Sequence, residues 1–347
     1  MIKQETVYEM RLVSALEKVF LDERPVYRPE CMKLTALKGE TVSFQAACTC
    51  TSFMKNRVKV RIESPISDRI HVRKVENVPA GRVCGPIVDD NYLKTESGLY
   101  PDLLRELVDG EVDIFPQKWR SIWIDIEVTE DVKAGLYPVT VILEKDGETL
   151  ARAATEVTIY DAVLPKQKMM HTEWFYLDCL ADYYHVPVFS EEHWEIITNY
   201  LKEYVKRGCN MILTPLFTPA LDTAVGIERT TTQLLDVWVE NGNYSFGFDR
   251  VKKWIDLCQS CGIEYFEICH LFSQWGAKYA PKVMAVVDGK EEQIFGWHTP
   301  AVGEYTKFLH SLLPQLTEKL REGGIDKVTY FYLSVELRAE HLERYRA

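Results

Sequence analysis

No apolar run in this chain approaches the length of a membrane span. The opening Met-Ile-Lys-Gln-Glu-Thr lacks the apolar core of a secretory leader. Basic residues are the minority, 41 against 52 acidic for a net charge of −11, and they gather into no stripe, which argues against a nucleic-acid partner. The nine cysteines are odd in number and show no framework-like spacing, so a reducing, cytoplasmic setting is expected rather than a disulfide scaffold. The lone C-x-x-C, Cys258-Gln-Ser-Cys261, has no second pair to complete a metal site and reads as helix packing. Also missing are H-E-x-x-H, a Walker loop, G-x-S-x-G and G-x-G-x-x-G. Zincin, P-loop, hydrolase-elbow and dinucleotide-binding chemistry therefore have no support.

What is present is apolar and aromatic. A chain of 347 residues with 46% hydrophobic content has room for two domains, each with a core. The 18 Tyr, 14 Phe and 8 Trp hint at recognition of planar or sugar-like surfaces, or simply fill large cores.

The hydrophobic period changes part way along. Residues 1–163 carry short alternating runs such as Thr41-Val-Ser-Phe-Gln-Ala-Ala-Cys, Ser121-Ile-Trp-Ile-Asp-Ile-Glu-Val and Pro138-Val-Thr-Val-Ile-Leu. Turn formers separate them, at Lys38-Gly39-Glu40, Lys133-Ala-Gly135 and Lys145-Asp-Gly147. That pattern predicts an all-β sandwich, with residues 81–113 as a long irregular insertion. After Ala162-Val-Leu-Pro-Lys, residues 164–347 alternate strands with helices. Strands are expected at about 169–177, 210–214, 263–270 and 328–335, and helices at about 190–207, 248–261 and 300–321, with a final helix running to Ala347. Asn241-Gly242 marks a hairpin turn. Four βα units imply a parallel sheet of the (β/α)8 type, but a closed barrel takes about 250 residues and only about 180 follow the linker. A TIM-like barrel incomplete at the C-terminus is therefore expected, with open sheet edges that invite self-association.

In such a domain reactive side chains gather at the C-terminal ends of the strands. The first strand ends among His171, Glu173, Trp174 and Asp178, and the second runs into Thr214-Pro-Leu-Phe-Thr-Pro-Ala-Leu-Asp222. The third ends on His270, shortly before Trp275, and the fourth on Glu336. Alternation puts Tyr330, Tyr332, Ser334 and Glu336 on one face. Glu336 is then either a carboxylate presented at the rim or a favourable charge at the start of the last helix. A single His such as His171 or His270 is more often a hydrogen-bonded structural residue than a ligand or base, and Trp275 and Trp297 suit a site or, as most Trp do, plain packing.

Several stretches together resemble glycoside hydrolase family 123. In the first half these are Lys38-Gly-Glu-Thr-Val-Ser-Phe-Gln, Tyr100-Pro-Asp-Leu-Leu and Ala134-Gly-Leu-Tyr-Pro. In the second they are Thr214-Pro-Leu-Phe-Thr-Pro, His270-Leu-Phe-Ser-Gln-Trp-Gly and the Glu340-His-Leu that follows the fourth strand. The resemblance implies a β-N-acetylgalactosaminidase that works by substrate assistance. The sugar's 2-acetamido oxygen attacks the anomeric carbon, and a Ser-Asp-Glu-Pro-like motif supplies the acid/base and the acetamide-orienting carboxylate. On this chain Glu336 takes the acid/base position and Ser334 the serine, while Val335 stands in the Asp position and Leu337 in the Pro position. Valine offers neither a hydrogen bond nor a compensating charge, a loss worth about 10²–10³ in rate, or roughly 3–4 kcal/mol. The resemblance further implies a glycan or glycoconjugate substrate and no metal or organic cofactor. His171, Trp174, His270 and Trp275 would line the sugar site, supported by Asp222, Trp297 and Tyr332. Three readings follow: an impaired glycosidase, a non-catalytic carbohydrate-binding or scaffold protein, and a different glycosidase in which Asp178 or Asp222 replaces the missing partner.

Overall fold

The computed structural model describes residues 6–26, 28, 32–81, 91–220, 224, 226–273 and 277–332. The chain divides into two compact units, Met1–Lys166 and Gln167–Ala347.

The first unit is all β. Its described strands are β1 (Tyr8–Ser14), β2 (Lys33–Lys38), β3 (Glu40–Cys50), β4 (Asn56–Glu63), β5 (Ile70–Ala80), β6 (Gly98–Glu106), β7 (Glu111–Ile114), β8 (Arg120–Val128), β9 (Gly135–Lys145) and β10 (Glu148–Val163). They form two five-stranded sheets, ordered β1-β3-β8-β5-β6 and β2-β10-β9-β4-β7. Period-two alternation sends Phe44, Ala46 and Cys48 of β3 and Ile122, Ile124 and Ile126 of β8 to one face. Val139, Val141 and Leu143 of β9 and Val157 and Ile159 of β10 join them in a single buried cluster. Asp146 and Gly147, at φ 51° and 84°, make the two-residue turn between β9 and β10, the left-handed conformation that Asp-Gly favours. Near the sheet surface Asp125 accepts from Ser43 Oγ at 2.5 Å, Trp123 Nε1 at 2.7 Å and Arg73 at 2.6 Å.

One expectation fails here. The stretch 81–113 holds β6, paired antiparallel with β5, and most of β7, paired with β4. Pro101 and a register shift between Glu76 and Asn77 mark β6 as an edge strand, where a missing N–H costs no ladder bond. Its exposed Leu99, Leu103 and Leu104 blur the alternation that reveals a half-buried strand.

The second unit is mixed α/β. In chain order it has α1 (Leu177–Tyr184), α2 (Glu191–Lys206), β11 (Met211–Thr214), β12 (Asp236–Glu240), β13 (Asn243–Gly247), α3 (Asp249–Cys261), β14 (Tyr265–Ile268), β15 (Val283–Val287), β16 (Lys290–Phe295), α4 (Glu304–Glu322) and β17 (Thr329–Phe331). Strands β11, β14 and β17 form a parallel sheet in that order. Ser190 caps α2, accepting from His193 N at 3.2 Å with Glu191 and Glu192 in the first turn. Gly262, at φ 105°, closes α3 in the left-handed form. Trp254, Phe266, Ile268, Phe308, Leu312 and Leu316 are buried in the same core cluster. No helix among the described residues is long and apolar enough to cross a membrane.

Two elements differ from expectation. The first strand reduces to one parallel bridge, Thr172 to Met211, and the chain turns into α1 at Leu177. The Tyr204 hydroxyl replaces the absent ladder: it accepts from Glu173 N at 2.7 Å and lies 2.7 Å from the Met211 carbonyl it donates to. Burial pushes that phenol up to about 12. Helix α4 begins at Glu304 rather than Pro300, because Pro300 bridges Tyr279 and its neighbours pair with Lys278 and Ala280.

The connections out of β11 and β14 each carry a hairpin, β12–β13 and β15–β16. The two hairpins join through parallel pairing of β12 with β15 into the sheet β13-β12-β15-β16.

Candidate active site

The register Thr214↔Ile268↔Phe331 aligns the C-terminal ends of the three parallel strands. His270 stands two residues past β14 and Tyr332 one residue past β17, so both emerge at that end. Trp174 reaches it from the segment bridged at Thr172. The three rings meet. His270 and Tyr332 have centroids 4.3 Å apart, Trp174 and His270 5.3 Å apart at 86°, and Trp174 and Tyr332 6.2 Å apart at 85°. The last two contacts are edge-to-face, the arrangement ring quadrupoles favour. His270 is buried, whereas Trp174 keeps 37% of its surface exposed and so offers an apolar ring to solvent.

Beside this cluster lies a residue that the sequence reading passed over. Glu267 of β14 is only 4% exposed. Its Oε1 accepts from Trp174 Nε1 at 3.3 Å, and its Oε2 accepts from Thr172 Oγ1 at 3.4 Å. Burial raises its carboxyl above the ordinary value of 4.5, and the two hydrogen bonds oppose this without cancelling it. Both bonds are longer than the roughly 2.7–2.9 Å of a strong charge-assisted contact, which accounts for the balance. Glu267 thus fixes the edge of Trp174 from inside the sheet. A signal was present: one carboxylate in the otherwise apolar run Tyr265-Phe-Glu-Ile-Cys269.

The remaining candidates are placed elsewhere or are not described. His171 lies at the N-terminal end of β11, where its carbonyl accepts from Asn210 and Met211 and its Nε2 meets Glu173 Oε1 at 3.2 Å. It is therefore at the opposite end of the sheet from His270 and Tyr332. Trp297 donates to the Ile227 carbonyl at 3.1 Å and packs near Tyr279, tying down the loop after β11. Asp178, considered as a substitute acid, is buried and pairs with Arg229 at 2.6 Å, while the guanidinium lies 4.0 Å from the centre of the Tyr176 ring. That ion pair commits the carboxylate to Arg229, whereas the third reading needs it as a partner for the substrate's acetamide. Asp222, Trp275, Ser334, Val335, Glu336 and Leu337 lie outside the described residues. Among the described residues no group of three or more His, Cys, Asp or Glu could hold a metal ion.

The Thr214-Pro-Leu-Phe-Thr-Pro stretch is built into the core. Thr214 Oγ1 accepts from Trp254 Nε1 at 3.2 Å, Phe217 N donates to Cys269 Sγ at 3.4 Å, and Thr232 N donates to Thr218 Oγ1 at 3.2 Å. Tyr305 donates to the Leu271 carbonyl and holds the turn that follows His270.

In parallel α/β domains of this kind the carboxyl ends of the strands, where the aromatic cluster lies, are where active sites form. Residues 174–347 match the model of the glycoside hydrolase 123 catalytic domain, and residues 20–145 match that of the glycoside hydrolase 123 N-terminal domain. The chain belongs to glycoside hydrolase family 123. It is similar to the structure of a family 123 glycoside hydrolase from Clostridium perfringens, described for glycolipid glycan hydrolysis, with a TM-score of 0.71 and 16% identity over 97% of this chain. It spans 60% of that protein's chain. A CARDB domain from Pyrococcus furiosus (TM-score 0.23, 6% identity, 46% of this chain and 98% of that one) also aligns. So does a beta-glucosidase from Listeria innocua (TM-score 0.22, 11% identity, 47% of this chain and 17% of that one). At those scores neither bears on function. No curated protein matches the chain.

Proposed function

We propose that this protein binds and slowly hydrolyses a terminal β-linked N-acetylgalactosamine of a glycan or glycoconjugate, by substrate-assisted retaining chemistry. The observation that carries the reading is the Trp174–His270–Tyr332 cluster at the carboxyl ends of the strands, with Glu267 buried beside it. The half-exposed Trp174 gives the C–H face of a sugar ring a surface to stack on. An apolar, ring-lined site also favours the neutral form of a nearby acid, as proton donation to a leaving group requires.

In the reaction the acetamide oxygen attacks the anomeric carbon as the glycosidic bond breaks. Glu336 gives its proton to the departing oxygen, then takes one from the water that opens the oxazolinium. Val335 leaves the acetamide N–H and the developing positive charge without a carboxylate partner, so turnover is slow.

The test is release of the chromophore from an aryl β-N-acetylgalactosaminide. Val335→Asp should raise the rate by about 10²–10³, the effect of restoring one well-placed electrostatic group. Glu336→Gln should abolish it. Binding of N-acetylgalactosamine with no release from any variant would replace the hydrolase reading with a binding protein. Release that survives Glu336→Gln would move the acid elsewhere.

A further inference from the structure

The sheet β13-β12-β15-β16 borders a cavity of about 300 Å³, at the lower end of the range for small-ligand sites. Its lining includes Trp238, Asp236, Arg250, Phe189 and Glu291. Both hairpins belong to connections leaving the C-terminal ends of β11 and β14, the end where the aromatic cluster lies.

Two features show that the cavity is built. The first is Gly247. A Cβ there would come within 2.8 Å of Trp238 Cη2 and 3.0 Å of Cζ3, so the indole lies across the glycine and is held flat on the sheet while 38% of Trp238 remains exposed. The second is Phe189, which sits at φ 59°, a left-handed conformation that strains a bulky residue. Its N–H donates to His193 Nδ1 at 2.9 Å, and its ring stacks on Trp194 at 5.4 Å and 23°. That conformation sets the ring 5.4 Å beneath the Arg250 guanidinium, which is paired with Asp236. Register places Trp238, Val286 and Glu291 in one cross-strand row.

We infer that this cavity is an accessory carbohydrate site that takes one pyranose unit of a glycan. A pinned indole offers a flat apolar face, and Asp236, Arg250 and Glu291 offer planar groups that pair with adjacent hydroxyls. Two carboxylates against one guanidinium disfavour a phosphate or other anion and suit a neutral polyol. The inference rests on this cavity's own chemistry and not on the reaction proposed above.

Indole N–H signals of the ¹⁵N-labelled full chain, with Trp238 and Trp174 assigned from Trp238→Phe and Trp174→Phe spectra, provide the test. On titration with methyl β-galactopyranoside or N-acetylgalactosamine the Trp238 signal should move and saturate, with an apparent Kd of about 1–10 mM, a free energy of roughly −3 to −4 kcal/mol. Gly247→Ala, which displaces the indole, should weaken that binding at least tenfold, and Glu291→Gln, at an exposed position, should weaken it as well. A Trp238 signal that stays still for both sugars, or titrates identically in Glu291→Gln, overturns the proposal. The Trp174 signal reports the other site separately, so either reading can fail alone.

Discussion

Glu267→Gln tests the electrostatics of the candidate site most directly. The carboxyl is 4% exposed, and its partners, at 3.3 and 3.4 Å, are too distant to compensate fully for a buried charge. Its proton is therefore held more tightly in the folded chain than at the ordinary value of 4.5. Below that value both folded and unfolded forms are protonated and the residue is neutral to stability. Above it the unfolded chain releases the proton freely while the folded chain resists, so stability declines with rising pH until the folded value is passed. Each tenfold tightening of the proton is worth about 1.4 kcal/mol. Glutamine keeps an acceptor for Trp174 and a donor for Thr172 but carries no titration. The variant should match the parent near pH 4.5 and become more stable than it as pH rises, the gap levelling off once the folded value is passed. Urea unfolding followed by tryptophan fluorescence suits the purpose, because six of the eight Trp lie in the second unit. A stability gap that does not widen with pH, or a glutamine variant weaker than the parent at pH 7.5, would show that Glu267 is held as an anion and refute the reasoning.

Two other carboxylates behave differently. Arg229→Met strands Asp178 as a buried anion and should cost about 3–5 kcal/mol in urea unfolding, much of it recovered in the Asp178→Asn/Arg229→Met double variant. Burial alone would raise the Asp125 carboxyl, but Ser43, Trp123 and Arg73 together hold it below the ordinary 3.8. Its contribution is present above 3.8 and lost as pH falls through the lower folded value, so Asp125→Asn should flatten the acid limb of the first unit's stability, read by hydrogen exchange between pH 2 and 5.

Much of the architecture could be read from local chemistry. Ser190 with its acidic first turn, Gly262 after α3 and Asn241-Gly242 at the β12–β13 turn all sit where helix-capping and hairpin rules put them. Asp288-Gly289, at φ 47° and 85°, carries the same hairpin signal as Asn241-Gly242, and the β15–β16 hairpin it marks went unread. The segment before α1 carried a strand-like pattern, yet a side-chain hydroxyl, Tyr204, does the work of a ladder there, and no periodicity encodes that. At the candidate site, His270 and Trp174 were visible as strand-end residues. Their meeting with Tyr332 depends on the register of β14 against β17, a pairing between residues about sixty apart in sequence. His171 satisfied the same local rule and landed at the other end of the sheet, because the bridge at Thr172 falls one residue after it rather than several before.

The joined hairpins carry a consequence for variation in this family. Trp238↔Val286 and Val239↔Val287 are the ladder pairs between the two excursions, reinforced by Gln233–Met284 and Trp297–Ile227 hydrogen bonds, so an insertion in one would shear the seam unless the other changed to match. Natural variants should exchange these two segments as a matched cassette, and grafting either alone into a relative should leave its partner's edge exposed and the protein prone to aggregate.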